Sequence, residues 1–306
     1  MKIFAVGTFL GLIFSLGISS QTIIPPALEP LKKILTSLPE ESVLKEFDFD
    51  RTQPFSPVVK ILSPNTLEVY VNRDLICEEV SFTSPWGDRI KGYVFKLKDL
   101  QLPAPGVLAL SGSPGKALAA NSFAGQLARK GLIVMTMDAL TSRVDGSKFN
   151  TPELGHQLIL GQIKDFRRGL DYLRSRPEVD PQRMGVTGNS LGGIFGSGLL
   201  GLEPNIKAFL FQISMAGISL RDGMTNGEIP PEISSIDPLR LTQVPHTAPV
   251  LWQNQKSDQA IPKQFSTLSF ELSGGPKEQR WYEGTHSTNP IMDAEGVSWL
   301  VEKLVK

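Results

Sequence analysis

Met184-Gly185-Val186-Thr187-Gly188-Asn189-Ser190-Leu191-Gly192-Gly193 reads as a short buried strand, a sharp turn and the start of a helix of small and apolar residues that runs to Leu202. A serine between two glycines in this context has the form of a nucleophile elbow. The serine occupies a strained turn, so the flanking positions must carry no side chain where strand and helix close on each other. The helix that follows places the positive end of its dipole beside Ser190, where an anion would develop during acyl transfer. Gly-x-Ser-x-Gly alone is a weak signal. The strand before it and the helix after it make it specific.

Outward from this turn, short continuous apolar runs recur: Val107 to Leu110, Leu132 to Met137, Ala208 to Ile213 and Val250 to Gln253. Strands covered on both faces of a parallel sheet read this way. Helical stretches lie between them, notably Asn121 to Arg129, Gln162 to Arg174 and Leu191 to Leu202. Upstream, Glu79 to Thr83 and Ile90 to Leu97 flank the turn-forming cluster Ser84-Pro85-Trp86-Gly87-Asp88 and read as an antiparallel hairpin. The expectation is an α/β fold: a mostly parallel central sheet entered by an antiparallel N-terminal hairpin, with helices on both faces.

A serine hydroxyl needs a base to become nucleophilic near neutral pH. The chain has 3 histidines. His286 lies in the loop Gly284-Thr285-His286-Ser287 after the last strand and is the candidate base. His246 precedes a strand, toward the wrong end of the sheet, and is read as a surface residue. His156 follows the Met137-Asp138 strand end and is read as a loop or helix-start residue with a possible contact to substrate. The orienting carboxylate should leave the strand between nucleophile and base. Asp258, after Val250-Leu251-Trp252-Gln253, fits, and the order Ser190, Asp258, His286 follows. Asp138, at the end of an earlier strand, is the alternative acid, while Asp237 lies before its strand. Ser214, Ser219, Ser234 and Ser235 are assigned to loops or caps. Backbone N–H groups of Leu191 and of Ser113, in Ser111-Gly112-Ser113-Pro114-Gly115, are the expected oxyanion donors.

The 306 residues are 41% hydrophobic and 20% charged, with Lys plus Arg equal to Asp plus Glu at 31 each. Ordinary globular usage without clustered positive charge argues against a nucleic-acid partner. Cys77 is the 1 cysteine, so no internal disulfide is available and a core position is expected for it. Met1-Lys2, the apolar run Ile3 to Ile18 and the small residues Gly17 and Ser19 predict a signal peptide over residues 1–19, and hence a secreted or periplasmic protein. The other reading, an uncleaved anchor, needs about 20 apolar residues. Residues 20–77 are expected to form an extension packed on a catalytic domain over 78–306. Oligomeric state is not legible.

The stretch Ser175-Arg176-Pro177-Glu178-Val179-Asp180-Pro181-Gln182-Arg183 leading into Met184 to Ser190, together with Leu127-Ala128-Arg129-Lys130-Gly131-Leu132-Ile133-Val134, resembles the α/β-hydrolase superfamily in its dienelactone-hydrolase-like and acetyl-xylan-esterase-like branch. The resemblance runs from about Glu78 onward. It implies a carboxylic-ester hydrolase that uses no cofactor and no metal and acts on a small-molecule ester. Two departures stand out: Ser111 occupies the place of the usual histidine in the oxyanion loop, and the segment before Glu78 matches no named pattern. The irregular stretches Ala139 to Gly161 and Gly217 to Thr242 are the expected specificity elements. The second is too short and too charged for a large apolar cap, which predicts a preference for short acyl groups. A catalytically inactive binding protein on the same fold and a peptidase of the prolyl-oligopeptidase type are the competing readings.

Overall fold

In the computed structural model, which describes residues 37–63, 74–145, 151–219 and 230–305, the apolar runs form the middle of a single sheet. Among the described residues its strands are β1 (Val58–Ile61), β2 (Leu75–Thr83), β3 (Arg89–Leu97), β4 (Ala104–Leu110), β5 (Ile133–Met137), β6 (Val179–Asn189), β7 (Ala208–Gln212), β8 (Val250–Gln255) and β9 (Lys277–Tyr282). Their order is β1-β2-β3-β5-β4-β6-β7-β8-β9. The first three strands and β5 pair antiparallel, and every pairing from β5 through β4 to β9 is parallel. The expected signal peptide, and most of the sequence before Phe47, lie outside the described residues.

Period-two alternation distributes the parallel strands between two cores. Leu108, Phe209, Phe211 and Trp252 face one side, where Phe166 and Leu170 of the helix Pro152–Arg174 cover them. Val107, Leu210 and Leu251 face the other, under Val297 and Leu300 of the helix Pro290–Val305. The helix Asn121–Ala128 lies on this second side. Helices on both faces leave the loops at the carboxyl edge of the parallel strands as the place where side chains converge.

The helix Pro152–Arg174 begins ten residues before the expected Gln162. Thr151 caps it, accepting the Leu154 N–H at 3.3 Å, and proline starts its first turn. His156 therefore lies on this helix. Its Nε2 stands 3.1 Å from Glu46 of the helix Glu41–Glu46, a tie to the N-terminal segment. The chain between Phe47 and Phe55 is strapped to the same helix. Phe47 is fully buried. Arg167 donates to the Phe47 carbonyl at 2.5 Å and to Glu203 at 2.8 Å, Arg168 to the Gln53 carbonyl at 2.5 Å, and Arg51 to Asp171 at 2.8 Å. The sheet also starts before Glu78, since β1 pairs with β2 and β2 contains Cys77. That cysteine is buried, and burial, helped by the carboxylates of Glu78 and Glu79, pushes its thiol up to about 12.

Candidate active site

Ser190 follows β6 directly and precedes the helix Leu191–Gly196 with φ +47° and ψ −117°. This backbone region is costly for any residue but glycine, and surrounding structure must hold it there. The Ser190 N–H donates to the Gln212 carbonyl at 3.0 Å. Its own carbonyl accepts from the N–H groups of Gly193 and Ile194 and from Ser214 Oγ at 2.8 Å. Ser214 is therefore a support of this turn, not an ordinary loop serine. A Cβ at Gly188 would come within 2.7 Å of the Gly192 carbonyl oxygen, and one at Gly192 within 2.5 Å of the Leu110 carbonyl oxygen. These contacts are with backbone, which cannot swing aside, so the glycines of the motif are steric requirements.

Three side chains meet at the carboxyl edge of the sheet. Ser190 Oγ lies 2.8 Å from His286 Nε2, and His286 Nδ1 lies 2.7 Å from Asp258 Oδ2. The Asp258 side chain is 1% exposed and that of His286 18%, so the carboxylate is sealed off while the imidazole reaches solvent. The other Asp258 oxygen accepts the N–H groups of Ala260 and Ile261, both at 2.9 Å. Those bonds fix the orientation of the carboxylate toward His286. Of the other acids considered, Asp138 accepts the Ala117 N–H at 2.8 Å and pairs with Lys116, away from His286. Asp237 is fully buried and accepts from the backbone of Ile218, Ser219 and Leu239; burial pushes its carboxyl up. His246 is half-buried with Nδ1 at 3.0 Å from the Ala248 carbonyl oxygen, and burial lowers its pKa. It is a structural residue more than a surface one.

A cleft of about 420 Å³ opens over Ser190 and His286. The loop after β4 forms one wall: Ser111, Gly112 and Ser113 line it, and a Cβ on Gly112 would sit 3.2 Å from the Ser190 Cβ. Leu191 opens its helix, so its N–H has no partner within it. Ser111 Oγ is buried without a hydrogen-bond partner among the described residues. Ser122, Asn189, Gln212, Thr288 and Asp293 complete the polar side of the cleft, and Leu110, Phe123 and Ile213 with several alanines form its apolar side. Asp293 accepts from Gln212 Nε2 at 3.2 Å and Thr288 Oγ1 at 3.4 Å; burial raises its carboxyl and these bonds oppose the rise. Gln212 and Asp293 were not singled out in the sequence. Their positions in helix and strand were legible, but their meeting at the cleft was not.

No family model and no curated protein matches the chain. Solved structures do. An acetyl xylan esterase of Thermoanaerobacterium sp. superposes with a TM-score of 0.71 at 18% identity, covering 89% of this chain and 98% of that one. An acetyl xylan esterase of Paenibacillus sp. does so with a TM-score of 0.71 at 18% identity, covering 96% and 99%. A Pyrococcus horikoshii acylaminoacyl peptidase gives a TM-score of 0.57 at 17% identity, with 83% of this chain matched but only 42% of the peptidase. At such identities the likeness is one of architecture, and with the sheet order and the strand–turn–helix at Ser190 it establishes that this chain has the α/β-hydrolase fold.

Proposed function

We propose that the protein is a serine hydrolase that cleaves small carboxylic esters through an acyl-enzyme. The observation that carries the reading is the relay Ser190–His286–Asp258, with neighbouring distances of 2.8 and 2.7 Å. In this reaction Ser190 Oγ attacks the ester carbonyl carbon as its proton passes to His286 Nε2. The imidazolium is held by Asp258, whose other oxygen accepts two backbone N–H groups. The carbonyl oxygen, now an oxyanion, accepts from the N–H groups of Leu191 and Ser113. Collapse breaks the bond to the alcohol, which leaves with the proton from His286. Water then repeats the sequence on the acyl-enzyme, releases the carboxylic acid and restores Ser190.

Short acyl groups suit the cleft. Its wall offers Phe123, Leu110 and Ile213 as the larger apolar side chains and is otherwise small or polar. A buried methylene stabilises a complex by about 0.8 kcal/mol only where a wall covers it. The two acetyl xylan esterases similar in fold act on esters by their names, which favours this chemistry over peptide cleavage.

Labelling with a fluorophosphonate tests the reading: the wild-type protein should take up one probe at Ser190, and folded Ser190→Ala none. Absence of labelling in the wild type would refute it. For the N-terminus we propose export with cleavage after Ser19, so sequencing of the mature protein should begin at Ser20.

A further inference from the structure

Among the described residues that line the cleft over Ser190, Asp293 is the one carboxylate. Ser111, Ser113, Ser122, Asn189 and Thr288 supply neutral dipoles, no lysine or arginine is present, and Asp293 supplies a carboxylate. Its position is fixed relative to both reacting side chains. Oδ1 accepts from Gln212, whose backbone carbonyl holds the Ser190 N–H; Oδ2 accepts from Thr288, two residues beyond His286. Both donors are neutral, and no cation acts on Asp293 among the described residues. The carboxylate is thus hydrogen-bonded to neutral groups with no cation beside it, and it is half-buried at the edge of a cleft whose walls concentrate its field.

We propose that Asp293 sets the charge selection of this site, admitting esters with neutral or cationic alcohol groups and disfavouring anionic ones. The inference rests on the esterase reading of Ser190. The alcohol side is the side concerned. The leaving oxygen must lie within reach of His286 Nε2 to collect its proton, and Asp293 is anchored through Thr288 of the same loop. The same field repels the carboxylic acid product, which is an anion where the substrate was neutral. The tetrahedral intermediate is also an oxyanion, so a fair comparison keeps one acyl group and varies charge on the alcohol alone.

Three acetates of similar size provide that comparison: acetylcholine, its neutral isostere 3,3-dimethylbutyl acetate, and 3-acetoxypropanoate. Followed by pH-stat at low salt, kcat/KM should be at least about tenfold higher for acetylcholine than for 3-acetoxypropanoate, with the neutral ester between. Asp293→Asn keeps the shape and one acceptor, and should collapse that ratio toward one. Should this variant not fold, the wild-type ratio itself should shrink between about 0.01 M and about 1 M salt as the carboxylate is screened. A ratio that favours the anion, or one that neither salt nor Asp293→Asn alters, overturns the inference while leaving the esterase intact. No turnover of any ester together with no fluorophosphonate labelling at Ser190 overturns both.

Discussion

Asp258 and Asp165 are both buried acids beside a potential cation, and the two regions treat them in opposite ways. Asp258 has one oxygen on His286 and the other on two backbone N–H groups. Asp165, on the helix Pro152–Arg174, has one oxygen on Arg143, and that arginine is shared with Asp88; its other oxygen has no partner among the described residues. Burial pushes Asp165 up to about 7 although Arg143 opposes the rise. At Asp165 a guanidinium in contact does not offset burial while one carboxylate oxygen is left without a partner. Near Ser190, both oxygens of Asp258 have partners.

The largest expected effect breaks the first region. Asp258→Asn should lower kcat/KM on p-nitrophenyl acetate by roughly 10³- to 10⁴-fold with the fold retained, because an amide cannot hold the required imidazole tautomer or its positive charge. A loss under about tenfold would mean that Asp258 does not serve His286. The second region should fail by a different measure. Arg143→Gln leaves Asp165 buried without its cation and should cost about 3 kcal/mol in denaturant unfolding at alkaline pH. The cost should be smaller at pH 5, where Asp165 is protonated in the folded state.

Asp165→Asn sharpens the comparison further. The folded pKa, about 7, lies above the unfolded value, so the native state binds the extra proton. Its contribution to stability is fully present below about pH 4 and is lost as pH rises through about 7. The stability of wild type minus that of Asp165→Asn, followed by thermal melts, should fall across that window and then level. A flat difference would show that Asp165 is already ionised in acid. The smallest effect is expected at Asp138. It follows its strand at the same edge as Asp258 follows β8, but it bonds the Ala117 N–H. Asp138→Asn should change kcat/KM by no more than about threefold while losing about 1 kcal/mol of stability. The reverse ranking of Asp138 and Asp258 in activity would exchange their roles.

The parallel strands were legible because burial on both faces leaves short apolar runs between turn formers, and β4, β7 and β8 are buried throughout. Ser190, Asp258 and His286 were legible because each follows a strand at the same edge, so chain order alone brings them near. The first turns of the helix Pro152–Arg174 were not: Gly155 and Gly161 dilute the helical pattern, although Thr151-Pro152-Glu153 carries a cap, a first-turn proline and an early acid. β1 escaped because its four residues are all exposed and present no alternation. Asp293 reads as an ordinary acid in a first helical turn. Its cleft position depends on Gln212, 81 residues earlier in the chain, and no local pattern encodes that meeting.

The separation of 96 positions from Ser190 to His286 also sets a timetable for the growing chain. At a synthesis rate of about 5–20 residues per second, the elbow is made roughly 5–20 s before the residue that would activate it. On the proposed chemistry the serine is an inert alcohol through that interval. It acquires a base only once β9 has been laid beside β8 and its exit loop has brought the imidazole across. The unfinished chain thus carries its reactive group disarmed, and reactivity arrives with the last strand added to the sheet.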